Sequence, residues 1–204
     1  MRVRHVVGVG VALIISACSI GRPIPAVTTY SIEPPPAAPD TPKPPHPERL
    51  RVERVRVAAP YDRSALVYRL SAVRYMPDPY HALLDDPGPM LGNRIAEWLA
   101  AAGLFKTVDG PGGAAPAPWV LEATVTDLYG DFEAGDGNPA AVMSIRFTII
   151  DESGGRPKVT YQRSLSRRAP LPRASPEALV LGYDTALGAI LTQFATDLMN
   201  SNLQ

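Results

Sequence analysis

The sequence predicts an α+β fold, a two-layer structure in which a mostly antiparallel sheet carries two helices packed on one face. Three observations predict it. Alternating segments fill the centre of the chain: Leu121, Ala123 and Val125 oppose Glu122, Thr124 and Thr126, and Met143, Ile145, Phe147 and Ile149 oppose Ser144, Arg146 and Thr148. Two other stretches carry helical spacing, Leu91, Ile95, Trp98, Leu99 and Ala102 in one, and Val180, Tyr183, Leu187, Ile190, Phe194 and Leu198 in the other. Their order, strands, helix, strands, helix, gives each apolar stripe a sheet face to cover.

The first element is not part of that body. "MRVRH" is a short cationic start, "VVGVGVALII" an apolar run, and Ser16 and Ala17 a pair of small residues, the layout of a secretory signal peptide over residues 1–17. As a helix, Val6 to Ala17 reaches about 18 Å, well short of a hydrocarbon core of roughly 30 Å. Ile15-Ser16-Ala17-Cys18 resembles the bacterial lipobox, and Cys18 is the single cysteine of the 204 residues. That resemblance implies lipidation of the Cys18 thiol, cleavage before it and acylation of the new amino group. Two or three acyl chains, at ~0.8 kcal/mol per buried methylene, anchor far more firmly than one. Ser19, where aspartate is an inner-membrane retention mark in enterobacterial lipoproteins, points to the outer membrane, with an inner-membrane anchor as the other option.

Residues 18–48 read as a lipidated tether. Thr28 to Ile32 alternates as a short strand, and ten of the 23 prolines follow or precede it between Arg22 and Glu48. Proline lacks a backbone donor and favours extended chain, so the segment after Ile32 reads as a linker. Two geometries remain open. With Thr28–Ile32 paired to the sheet, which we favour, the free tether is Ile20–Val27; unpaired, the proline-rich part alone extends about 45 Å.

The globular body is residues 49–204. "RLRVERVRV" is a strand with a defect, because Leu50 and Val52 share one face while Val55 and Val57 fall on the other; a bulge near Glu53-Arg54 reconciles them. "ALVYRL" and "AVRYM" follow as two further short strands or one bent one. The first helix opens around Pro89 and stops at Gly103. "GPGGAAPAP" is a connector without the lysine and hydroxyl of a phosphate loop. "WVLEATVTDLY" and "AAVMSIRFTII" are strands, and "ESGG" reverses the latter into "KVTYQRSL" as a hairpin. Ser175, Pro176 and Glu177 form the N-cap, first turn and dipole-compensating acid of the last helix.

Composition narrows the function. Twenty basic residues balance 20 acidic ones, and removal of residues 1–17 takes Arg2 and Arg4, leaving 18 − 20 = −2. No basic stripe recommends nucleic acid as a partner. Three histidines and one cysteine are too few for a dedicated metal site, and no cofactor motif is present. Catalysis has little to stand on: His81 is the single histidine of the body, with no G-x-S-x-G elbow, and Asp85-Asp86 before Pro87 suits helix-start chemistry. We expect no enzyme.

"VRVAAPYDRSALVYRLSAVRYMPDPYHALLDDPGPML", "RIAEWLAAAGLF" and "WVLEATVTDLYGDF" resemble the ABC-type transport auxiliary lipoprotein family, which includes the paraquat-inducible protein C lipoproteins. The matching features are Pro60-Tyr61, Asp62-Arg63, Leu66-Val67-Tyr68-Arg69, Tyr75, the strand with Glu122 and the turn Tyr129-Gly130-Asp131-Phe132. The resemblance covers about residues 15–199; the long proline insert after Ile32 and the proline-rich "LPRASPEALV" depart from the pattern. It implies a TolB N-terminal-like domain in a lipid-anchored, periplasm-facing outer-membrane protein. It implies an accessory subunit of an ABC transporter whose substrate-binding component carries mammalian-cell-entry (MCE) domains, moving phospholipid or another hydrophobic substrate across the periplasm. A homo-oligomeric ring follows from the family, not from the residues. The alternative is a structural envelope lipoprotein that braces the wall with no transport role. The partner-contact candidates are Tyr61, Arg63, Tyr75, Tyr80 and Phe132, expected in loops at one end, with Arg167, Arg168 and Arg173 on one further loop.

Overall fold

The computed structural model describes residues 26–37, 46–133 and 138–201. The signal peptide, Cys18 and most of the proline-rich linker lie outside them. The elements are β1 (Thr28–Tyr30), β2 (His46–Val52), β3 (Arg56–Val57), β4 (Ala65–Ser71), β5 (Arg74–Leu83), α1 (Pro87–Ala102), β6 (Phe105–Asp109), β7 (Trp119–Asp131), β8 (Ala140–Asp151), β9 (Lys158–Pro170) and α2 (Pro176–Asn200). The architecture is α+β, one mixed sheet with two helices.

β7 is the hub. One of its edges pairs antiparallel with β8 along the whole strand, and β8 pairs antiparallel with β9. The other edge is shared by three strands in turn, all parallel to it: Leu50–Val52 of β2 on Trp119–Leu121, β3 on Thr124–Val125, and Tyr68–Arg69 of β4 on Gly130–Asp131. β6 extends the sheet beyond β2, while β5 and then β1 extend it beyond β4. The longest ladders are antiparallel; the parallel pairings are short.

The defect after Val52 has the form the alternation demands. Between the pairs Val52 with Leu121 and Arg56 with Thr124, four steps on one side answer three on the other. This one-residue excess turns Val55 inward with Leu50 and Val52. β6 carries no comparable signal, because Phe105 alternates with Thr107 and Asp109 on one face; it is held by pairing with β2 and by the Arg49 guanidinium, which donates to both oxygens of Asp109 at 3.0 and 2.8 Å.

Leu121, Ala123, Val125, Met143, Ile145, Phe147 and Ile149 are buried on the helix-covered face. Phe147 stacks on Phe194 of α2, ring centroids 4.3 Å apart. α2 approaches β8 closely enough that a Cβ at Gly182 would meet the Cβ of Ala141 at 2.6 Å, so only glycine fits there. α2 is long and apolar enough to cross a membrane, yet 67% of that stretch is buried in the domain, which makes it a core helix. Its start matches the capping chemistry: Ser175 Oγ accepts from Ala178 N–H at 3.3 Å. α1 begins at Pro87, two residues earlier than Pro89, and ends on left-handed Gly103.

Residues 31–37 leave β1 and strap across both helices. Ile32 is fully buried; its carbonyl accepts from Arg94 Nε at 3.1 Å, Trp98 Nε1 donates to the Pro35 carbonyl at 3.0 Å, and Glu33 N–H donates to Asp184 Oδ1 at 2.6 Å. The tether geometry is thus the docked one, with β1 on β5.

Candidate functional site

The face of the sheet turned away from the helices carries the chemistry. Asp131, at the end of β7, is 2% exposed and is the one buried charged residue among the described residues. Arg69 of β4, its parallel-strand partner, donates from Nε to Oδ1 at 2.9 Å and from Nη2 to Oδ2 at 2.6 Å. Arg168 of β9 donates to the same Oδ2 and, at 3.2 Å, to the Asn138 carbonyl. Glu133 lies 3.5 Å from Arg69. Burial pushes the Asp131 carboxyl up, but the bonds from Arg69 and Arg168, with their charges, outweigh it and hold the group below the ordinary carboxylate range. The bond to Asp131 in turn raises Arg69 above its ordinary value.

Arg69 also lies 5.8 Å from the Tyr129 ring centroid, a cation–π contact. Tyr75 meets Tyr129 edge-on at 5.4 Å and 85°, and Tyr61 stacks on it at 6.0 Å. Burial, the hydroxyls of Tyr75 and Tyr129 and the Asp127 carboxylate push Tyr61 up to about 12, and burial raises Tyr129 as well. The cluster therefore presents neutral phenols beside a fixed guanidinium, with Tyr75 41% exposed at its rim. An arrangement with an apolar body and polar tips is suited to binding a protein surface.

The five candidates divide. The structure brings Tyr61 and Tyr75 together, Tyr61 from the turn before β4 and Tyr75 from β5 rather than a loop. Arg63 follows in the same turn as Tyr61, exposed and 3.9 Å from Asp62. Tyr80 is exposed further along β5. Phe132 packs on the opposite side, stacked on Tyr68 at 4.9 Å. Tyr129 to Asp131 are strand rather than turn, because β7 continues to Asp131 to meet β4. Arg167 and Arg168 likewise belong to β9, leaving Arg173 alone in the following turn, where it donates to Ser175 Oγ. Arg69 and Asp131 stood in the sequence only as parts of matching motifs and Arg168 as a loop cation; their contact was hidden because they come from three strands.

His81 is on β5. Its Nδ1 is 2.8 Å from Asp78 Oδ2, which also accepts from Tyr68 Oη at 2.6 Å, while Asp78 Oδ1 accepts from the N–H groups of Tyr80 and His81. Burial raises Asp78, and those donors, Tyr68 first, bring it below the ordinary range. The carboxylate is consumed in closing the irregular middle of β5. No group of three or more metal-ligating side chains is placed to hold an ion among the described residues.

A model of the ABC-type transport auxiliary lipoprotein component matches residues 30–195. The chain belongs to that family. As a member it is a lipoprotein component auxiliary to a transporter, membrane-anchored and facing the periplasm. Among solved structures it is similar to a Xanthomonas campestris protein of the DUF330 family, with a TM-score of 0.72 and 17% identity over 85% of this chain and 95% of that one. A second, uncharacterised protein aligns with a TM-score of 0.64 and 18% identity over 85% and 99%. At such identities the likeness establishes the fold. No curated protein matches this sequence.

Proposed function

We propose that the protein is a non-catalytic accessory subunit of an MCE-domain ABC transporter that moves phospholipid or another hydrophobic substrate across the periplasm. Its anchor is Cys18, in the outer membrane. The docking surface is the uncovered sheet face around Tyr75 and Tyr129, extended by Arg63 and backed by Tyr61. The observation that carries the reading is the clamp of Arg69 and Arg168 on Asp131. It fixes three strands beneath a half-exposed aromatic cluster, so that the surface is presented rigidly and binding loses little side-chain freedom. Phe132 shapes this end from within, and Tyr80 lies outside the surface.

The test is photocrosslinking in cells from a reactive residue at Tyr75, with captured proteins identified by mass spectrometry. An MCE-domain protein is the expected adduct. Capture of peptidoglycan-associated proteins alone favours the bracing role, and a trapped small-molecule adduct argues for catalysis. As a check, with the reactive residue moved to Arg63, Tyr75→Ala is expected to cut the MCE adduct at least tenfold while the chain stays folded, at a cost of about 1 kcal/mol for the lost edge-on contact with Tyr129.

A further inference from the structure

β1 runs parallel to β5, with Thr28 level with His81 and Tyr30 level with Leu83. Its N-terminus therefore points toward the Arg74 end of β5, where the β4–β5 turn closes. Apolar side chains are uncovered along the same line: Val73 at the turn is 90% exposed, Met76 46% and Tyr80 49%, and Val27 is exposed at the start of β1. Arg74, beside Val73, has no ion-pair partner among the described residues. The described carboxylates at that end, Asp131 and Glu133, are already held by Arg69 and Arg168. An exposed β-turn with a valine at its tip and an unspent guanidinium next to it is well suited to an anionic interface.

Reach decides what lies there. From the level of Tyr80 to that of Arg74 is less than about 20 Å, because the irregular middle of β5 shortens the strand. The nine steps from Cys18 to Val27 span at most about 30 Å. A lipid on Cys18 thus holds some part of the domain against the bilayer, and the direction of β1 selects which part. We propose that the β4–β5 end of the sheet lies on the bilayer that holds the anchor, with Val73 in the headgroup layer and Arg74 at the lipid phosphates. The sheet then stands upright, and the Tyr75–Tyr129 face looks sideways along the membrane. This rests on the Cys18 anchor of the proposed function.

The experiment uses the full lipidated chain in vesicles of phosphatidylethanolamine and phosphatidylglycerol. Because the native thiol is committed to its lipid, an introduced cysteine is the labelling site: Val73→Cys, with Leu84→Cys at the far end of β5 as comparison, each carrying an environment-sensitive fluorophore. The expected result is co-flotation of both, with a blue-shifted label at 73 quenched by lipids bearing a nitroxide near the headgroup, and a water-exposed label at 84. Flotation with a water-exposed label at 73 overturns the orientation and leaves the anchor standing. A label at 73 shielded only on adding a protein partner, and never quenched by lipid, overturns it in favour of a protein interface. Failure of the chain to float removes the anchor and the orientation with it.

Discussion

The two faces of β7 are built from the same strand and obey opposite rules. Toward the helices, Leu121, Ala123, Val125 and Leu128 meet Phe147, Ile145 and Met143 from β8 and the stripe of α2, with almost no exposed surface. Away from them, Glu122 pairs with Arg56, Tyr129 with Tyr61 and Tyr75, and Asp131 with two arginines. The first face is held by area and shape, which tolerate no gap and are indifferent to pH. The second is held by directed contacts that hold a binding surface in shape and respond to charge. The difference teaches where stability and recognition reside: one strand serves both without either compromising the other, because alternate residues never compete for the same neighbours.

The largest effect comes from emptying the helix-covered face. Phe147→Ala removes a fully buried ring and its stacked contact with Phe194, and is expected to destabilise by about 4 kcal/mol, read from the urea midpoint. The loss is the same at pH 5 and pH 8, since no titrating group is involved. A cost below about 1 kcal/mol would break the comparison.

Asp131→Asn tests the other face, with an expected loss of about 2 kcal/mol at pH 7, because the bonds from Arg69 and Arg168 lose their charged acceptor, discounted for the exposure of both arginines. Here pH enters. The folded carboxyl is held below its ordinary value near 4, so its contribution is fully present above that value and drains as pH falls through the folded one. Unfolding curves of the native and variant chains are therefore expected to converge below about pH 4. Parallel curves would mean that the clamp acts by shape alone.

The legibility of the two faces differed for the same reason. The covered face was readable because period two in β7 and β8 and period 3.6 in α2 are local properties, and burial enforces them. The hairpin of β8 and β9, the N-cap Ser175 and the bulge after Val52 are equally local. What was hidden is relational. Nothing within "FKTVD" marks β6 as a strand until Arg49 and Asp109 are brought together across 60 positions. The clamp on Asp131 needs Arg69 and Arg168, which are 62 and 37 positions away. Aromatic residues were visible as a set, but which of them share a face depends on registers that sequence does not carry: Tyr75 joins Tyr129, whereas Phe132 turns under to Tyr68.

The smallest effect probes the seam where the strap crosses the helices. Asp184 of α2 accepts the Glu33 N–H, and Pro35 lies so close to α2 that a Cβ at Gly188 would meet its Cδ at 2.9 Å. Burial pushes the Asp184 carboxyl up to about 6, the Glu33 N–H and Arg94 opposing and the Glu33 carboxylate adding to the rise. A raised carboxyl means that the folded chain binds the extra proton between about pH 4 and pH 6, so stability falls as pH rises across that window and stays low above it. Asp184→Asn keeps the oxygen that accepts from Glu33 and removes the charge. It is expected to add about 1 kcal/mol at pH 7, discounted for partial solvent screening, and almost nothing at pH 4. Were the variant instead weaker at pH 7, the pull of Arg94 on an ionised Asp184 would outweigh burial, and the strap would be held by charge, as on the uncovered face, rather than by packing.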